Sequence, residues 1–169
     1  MSQKNDQDLE RFARELQEQI MNQLRQQYSP QVIERWQNPH NFYRLENPDG
    51  YAKVTGSCGD TMEMFLKIQN DRIIESSFFT DGCGTTIACG SMATELVEGK
   101  TFTEALALVS TEEILKKLGG LPEPDVHCAQ LAAETMRRAL ADYLYQKKHA
   151  WKKISVSYTH LTLPTICSV

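Results

Sequence analysis

Residues 62–80, MEMFLKIQNDRIIESSFFT, carry the pattern that decides the fold. Met62, Met64, Leu66 and Ile68 alternate with Glu63, Phe65 and Lys67, the period of a β-strand. Asn70-Asp71 predicts a tight turn into a second strand, Arg72 to Thr80, with Ile74 and Phe78 expected on one face and Ile73 and Phe79 on the other. Tyr51 to Gly56 supplies a further strand, and the three form an antiparallel meander. Its Met, Ile and Phe stripe is core material, not a ligand surface.

Helical spacing surrounds the meander. From Asp6 to Tyr28, Leu9, Phe12, Ala13, Leu16, Ile20 and Leu24 recur at three- and four-residue steps, a helix whose stripe is expected to dock on its own domain, with a partner as the other use. Ser29-Pro30 caps and starts a short helix through Trp36, which Asn38-Pro39-His40-Asn41 ends. After Gly84, Ile87, Ala88, Met92, Leu96 and Val97 suit a helix stopped at Gly99. Thr101 and Thr103 begin a short one through Leu108, and Ser110 with Glu113 resembles a capping box for another through Leu118. The last long helix is expected from about Cys128 to Lys148, with Leu131, Ala132, Met136, Ala139, Leu140, Tyr143 and Leu144 on its buried stripe.

At 169 residues the chain fits one domain with a core of its own. Eighteen basic against 22 acidic residues, a net charge of −4, without a Lys/Arg cluster, argue against nucleic acid as a partner. No apolar run approaches the ~20 residues that span a bilayer, so no membrane role is expected. The acidic N-terminus lacks the apolar segment of a secretory signal and is unlike an acid-poor transit peptide. A cytoplasmic, reducing setting follows, in which the five cysteines are thiols or metal ligands and not disulfides.

Three of those cysteines stand out by their neighbours: Cys58 in Cys58-Gly59-Asp60, Cys83 in Gly82-Cys83-Gly84, and Cys128 in His127-Cys128. Three thiolates, a carboxylate and an imidazole suit a soft metal or an iron-sulfur cluster. Each motif falls at an element boundary, so three loops can converge at one end of the sheet. Gly56, Gly59, Gly82 and Gly84 relax the backbone there and leave room for N–H donors to sulfur. Helix N-termini at Cys128 and after Cys83 are expected to lower both thiol pKa values. Cys89, beside Ile87 and Ala88, reads as structural; His40 and His149 read as solvated surface residues. A zinc hydrolase or Cys-His nucleophilic enzyme would need an orienting base, and no such motif occurs.

The run from Tyr28-Ser29-Pro30 through Asn38-Pro39-His40-Asn41, then Gly56-Ser57-Cys58-Gly59-Asp60, Asp81-Gly82-Cys83-Gly84, Ala93-Thr94-Glu95 with Gly99-Lys100, and His127-Cys128, resembles the U-type iron-sulfur cluster assembly scaffold proteins (IscU/NifU-like). The match in order and spacing covers about Tyr28 to Lys148.

The resemblance implies an α+β fold, a three-stranded antiparallel sheet packed by helices with the cluster-ligand loops at one end. It further implies a scaffold, not an enzyme, with Cys58, Cys83 and Cys128 holding a nascent cluster, [2Fe-2S] or [4Fe-4S], and Asp60 and His127 as exchangeable ligands. Sulfur would come as persulfide from a cysteine desulfurase, onto Cys128 as acceptor; iron would join, and the cluster would pass to apo proteins. A carboxylate or neutral imidazole in the fourth place weakens retention and allows release.

Three features bear on that expectation. Family members served by a dedicated Hsp70 chaperone carry Leu-Pro-Pro-Val-Lys before His-Cys, whereas this chain has Leu121-Pro122-Glu123-Pro124-Asp125, with the charge reversed at the lysine position, which argues against chaperone-assisted handoff. Cys58, Asp60, His127 and a further thiolate could also form a closed zinc site, making the chain a zinc-bound sulfur acceptor or regulator of a desulfurase. That branch of the superfamily carries an insertion between its second and third cysteines; here they lie 128 minus 83, or 45, positions apart, as in the uninserted scaffold branch.

The expected division is an N-terminal helical extension over 1–27, a scaffold domain over 28–150, and a non-native tail over 155–169. The tail has no charged side chain, follows a lysine-rich helix end abruptly and resembles translated sequencing-adapter read-through, so Cys167 and His160 enter no site. A homo-oligomer is left open by the sequence.

Overall fold

The computed structural model describes the backbone of residues 2–155 and the side chains of residues 8–149. Apart from Ser155, the segment read as a non-native tail lies outside the described residues. In chain order the elements are α1 (Ser2–Gln27), α2 (Pro30–Gln37), β1 (Gly50–Thr55), β2 (Thr61–Gln69), β3 (Arg72–Thr80), α3 (Gly84–Val97), α4 (Phe102–Leu108), α5 (Thr111–Leu118) and α6 (Val126–Ser155). The strands form one antiparallel sheet in the order β1-β2-β3, an α+β architecture.

Asn70 and Asp71 turn the central hairpin with φ of 52° and 62°, the left-handed pair that matches strand twist in a two-residue loop. Lys67 pairs with Glu75 but Ile68 with Ile73, so Ile74 has no partner on β2. This bulge breaks the strict alternation: Ile73 joins Phe78 in the core, both fully buried, while Ile74 is turned out. The expected sharing of a face by Ile74 and Phe78 is corrected accordingly.

Met62, Met64 and Leu66 of β2, which packs against α6, share a single core with β3 and the α3 helix against it. α3 is buried along most of its length, and small residues make this possible: a Cβ at Gly90 would collide with the Phe78 ring. Both halves of the outer edge of β3 are covered, which removes a free edge for further pairing. Phe78 N–H donates to the Asn41 carbonyl (2.9 Å), and Ile73 exchanges hydrogen bonds with Gly99 and Lys100, each 2.8 Å.

Helix ends follow their local chemistry. Ser29 accepts from Val32 N–H ahead of Pro30, and Gly119 closes α5 in the left-handed region at φ 76°. The reciprocal capping box belongs to Thr101 and Glu104. Ser110 accepts from Glu113 N–H as the sequence suggested. α6 starts two residues before the expected Cys128, after a single 3-10 turn at Glu123–Asp125, so Cys128 sits inside its first turn.

The expectation for α1 changes most. Its last turns rest against α2, with Gln37 donating to Met21 Sδ, but Leu9 is 67% exposed, Phe12 62%, Leu16 47% and Ile20 49%. The apolar stripe is therefore presented outward and not docked on the sheet domain. No helix among the described residues is long and apolar enough to cross a membrane.

Candidate metal centre

Strand register brings the first two cysteine loops together. Thr55 pairs with Thr61 and Met62 with Thr80, so the β1–β2 turn and the β3–α3 junction open at the same end of the sheet. In the turn, Gly56 N–H donates to the Asp60 carbonyl (2.8 Å), and Gly59 takes φ 92°, which a side chain would resist. Asp60 turns back beneath Cys83: its Oδ2 accepts from Thr86 Oγ1 at 2.7 Å and from Cys83 N–H at 3.4 Å.

Cys83 is the N-cap of α3. Partial burial would raise its pKa, but hydrogen bonds from the Thr85 and Thr86 hydroxyls and from their amides outweigh it and hold the thiol below its ordinary value. The helix-terminus expectation holds here. It fails at Cys128, which is fully buried: desolvation dominates and pushes its thiol up to about 11 despite its hydrogen bonds with Thr86 and Thr85. Cys128 lies against the same threonines, with Sγ 3.3 Å from Thr86 Oγ1 and 3.8 Å from Thr85 Oγ1.

His127 joins Cys128 in the first turn of α6. Its Nδ1 is 2.6 Å from the Pro124 carbonyl, which can only accept, so in the neutral ring Nδ1 carries the proton and Nε2 the lone pair. That Nε2 lies 3.5 Å from Cys128 Sγ. The arrangement is the orienting hydrogen bond typical of a metal-ligating histidine. Tyr28 fixes the preceding residues by donating to Asp125 Oδ2 at 2.8 Å.

Asp60, Cys83, His127 and Cys128 thus gather around the first turn of α3. Cys58 does not join them: it is exposed on its turn, with no hydrogen bond to the other four. Among the described residues no three His, Cys, Asp or Glu side chains stand close enough to hold a metal ion as they are. A Cβ at Gly59 would face open space, so the turn that carries Cys58 is not packed against a neighbour there. Cys89 is fully buried in the core, away from these ligands in role as expected, and burial raises its thiol well above the ordinary value.

The sequence reading gave no site role to Thr85, Thr86, Tyr28 or Trp36. The signal for the threonines was their place in the second and third helical positions after an N-cap cysteine. Trp36 lies over the α-carbon of Gly84 and meets Tyr28 edge-on at 6.5 Å, walling the Cys83 side. His40 is on the surface as expected, 54% exposed, and its Nδ1 lies 3.1 Å from Glu95 Oε1. Arg35 pairs with both oxygens of Glu95 at 3.0 and 2.7 Å, so this group clamps α2 to α3.

The family described as NifU-like N terminal domain matches residues 27–150. The chain belongs to this U-type family. The family's curated members include "Iron-sulfur cluster assembly scaffold protein IscU 1" of Archaeoglobus fulgidus, 43% identical over 117 residues, covering 69% of this chain and 76% of that one. The IscU scaffold protein of Escherichia coli K12 is 40% identical over 121 residues, covering 69% and 93%. Among solved structures, FiSufU of Fervidobacterium islandicum AW-1 superposes with a TM-score of 0.56 over 67% of this chain and 96% of that one, at 24% identity, a likeness of fold.

Proposed function

We propose that this U-type chain is a scaffold on which a nascent iron-sulfur cluster is assembled from iron and desulfurase-derived sulfur and then passed to apo proteins, with residues 28–150 as the scaffold domain. The observation that carries the reading is the meeting of Asp60, Cys83, Cys128 and His127 around one helix start, in a chain whose relatives bear the scaffold name. Cys58, Cys83 and Cys128 supply the thiolates, and Asp60 and His127 alternate in the remaining place. The mixture of soft and hard donors favours a cluster that is held and then released.

Sulfur arrives when a Cys128 thiolate attacks the terminal sulfur of the desulfurase persulfide; the donor S–S bond breaks and the donor cysteine leaves as thiolate. Reduction of that sulfur to sulfide draws electrons from a separate reductase. The buried Cys128 thiol resists ionisation in the metal-free chain, and coordination to a metal would remove its proton.

Anaerobic purification and reconstitution with iron, cysteine and a cysteine desulfurase tests the proposal. Bound iron with equimolar acid-labile sulfide and a visible charge-transfer spectrum, lost in Cys→Ser variants at 58, 83 and 128, supports it. Stoichiometric zinc that stays bound while persulfide is relayed, with no labile sulfide, would replace it with the sulfur-acceptor reading.

A further inference from the structure

Three of the ligand side chains named above converge on one hydroxyl that the chain's cysteine motifs do not include. Thr86 is fully buried in the first turn of α3, and its Oγ1 lies 2.7 Å from Asp60 Oδ2, 3.3 Å from Cys128 Sγ and 3.5 Å from Cys83 Sγ. A hydroxyl has one proton to give. Asp60 as a carboxylate only accepts and stands closest, so it is the hydroxyl's main acceptor, while the two sulfurs share its longer contacts.

Nothing else among the described hydrogen bonds holds the Asp60 side chain except the long contact from Cys83 N–H at 3.4 Å. Thr86 itself is held by the helix on which it sits and cannot swing away without leaving a buried hydroxyl unpaired. Thr85 duplicates the contact to sulfur but not that to the carboxylate: its Oγ1 is 2.9 Å from Cys83 Sγ and 3.8 Å from Cys128 Sγ. The two adjacent threonines therefore differ in kind.

We propose that Thr86 is a positioning residue of the cluster site, which tethers Asp60 beside Cys83 and Cys128 and thereby sets how readily that carboxylate enters and leaves the iron. The inference rests on the scaffold reading. With the tether, Asp60 is presented to incoming iron and competes with His127 for the exchangeable place. Without it, Asp60 turns to solvent and the place falls to His127.

Thr86→Val removes the hydroxyl at nearly constant volume, Thr86→Ser keeps it, and Thr86→Ala serves where valine does not fold, folding being checked by thermal denaturation of the metal-free protein. Reconstituted anaerobically, the Val or Ala variant is expected to change the visible circular dichroism and Mössbauer parameters of the cluster toward those of Asp60→Ala. Its cluster lifetime against a chelator is expected to lengthen in the same direction, on the order of tenfold for the loss of one charge-assisted hydrogen bond. Ser restores the wild-type spectrum, and Asp60→Ala combined with Thr86→Val behaves as Asp60→Ala alone. A wild-type spectrum and lifetime in both Val and Ala, or full additivity with Asp60→Ala, would overturn the assignment while leaving the scaffold reading intact. Absence of iron and sulfide in the wild type would overturn both.

Discussion

Gly82 and Asp60 share one space: a Cβ at position 82 would stand 2.5 Å from Asp60 Oδ2 and 2.8 Å from Thr86 Cβ. The glycine before Cys83 is thus required by a neighbour, not by its backbone angles. Gly82→Ala must displace the Asp60 carboxylate or strain Thr86, a crowding that costs about 1–3 kcal/mol. The expected outcome is a lowered urea midpoint together with a longer-lived, more slowly transferred cluster, the behaviour also expected of Asp60→Ala. Chelator challenge and transfer to an apo ferredoxin measure both. Faster cluster loss in Asp60→Ala would contradict the role given to this carboxylate.

The thiols differ enough in environment to be ranked by chemistry. Cys83 is exposed and held below its ordinary pKa, while Cys128 is buried and raised to about 11. In the metal-free protein at about pH 8, iodoacetamide should label Cys83 well before Cys128, and Cys89 last, because the thiolate is the reactive form and burial blocks access. Peptide mass spectrometry over a time course reads the order directly; Cys128 labelling ahead of Cys83 would refute it.

The same shifts set a stability window. Cys128 has a folded pKa raised above its ordinary 9.0, so its contribution is fully present below pH 9.0 and is lost as pH rises toward about 11. The lowered Cys83 acts in the opposite sense, its contribution present above its ordinary value and lost as pH falls through the folded value. Chemical unfolding across the alkaline range should show Cys128→Ala losing less stability than the wild type between pH 9 and about 11. Parallel losses in the two proteins would show that the buried thiol does not govern this range.

What the sequence made legible were features set by short-range pattern. The Met62 to Ile68 alternation, the Asn70-Asp71 turn and the Ser29-Pro30 cap act within a few residues, and each took its expected form. The bulge at Ile74 stayed hidden because it depends on which β2 residue each β3 residue meets. The rise in the Cys128 pKa stayed hidden for a related reason: a helix start predicts a dipole, but burial beneath Thr85 and Thr86 is a tertiary fact that outweighs it. Cys58, Cys83 and Cys128 could be picked out from their neighbours, whereas Thr86 could be found only once α3 was oriented over Asp60. The stripe of α1 had the right period for burial, yet periodicity cannot say whether a partner surface exists.

Tyr28 ties the start of the family match to the residues before His127. Its hydroxyl donates to Asp125 at 2.8 Å, and that bond, with burial and the nearby charges, raises its pKa to about 12. Tyr28→Phe should lower stability by about 0.5–1.5 kcal/mol, the net worth of one such hydrogen bond. In an ultraviolet titration it should also remove one late-ionising phenol, leaving Tyr43, likewise raised to about 12, and Tyr51, which burial and Glu63 also raise. Because a raised folded pKa gives stability that is lost as pH rises from 10.0 toward about 12, the Phe variant should be flatter across that interval. An unchanged count of late phenols would remove Tyr28 from this role.

Two phenylalanines separate the core from the projecting helix. Phe78 on β3 is fully buried against α3 with Gly90 at its ring, whereas Phe12 on α1 is 62% exposed. Phe78→Ala should cost about 3–5 kcal/mol through lost transfer energy and the cavity left behind. Phe12→Ala should change the urea midpoint by less than about 0.5 kcal/mol in equivalent stability, as a surface substitution does. Equilibrium unfolding of both variants in the metal-free chain measures the contrast. A Phe12→Ala penalty approaching that of Phe78→Ala would mean that the α1 stripe is buried in solution, which would restore the docked arrangement that its spacing first suggested.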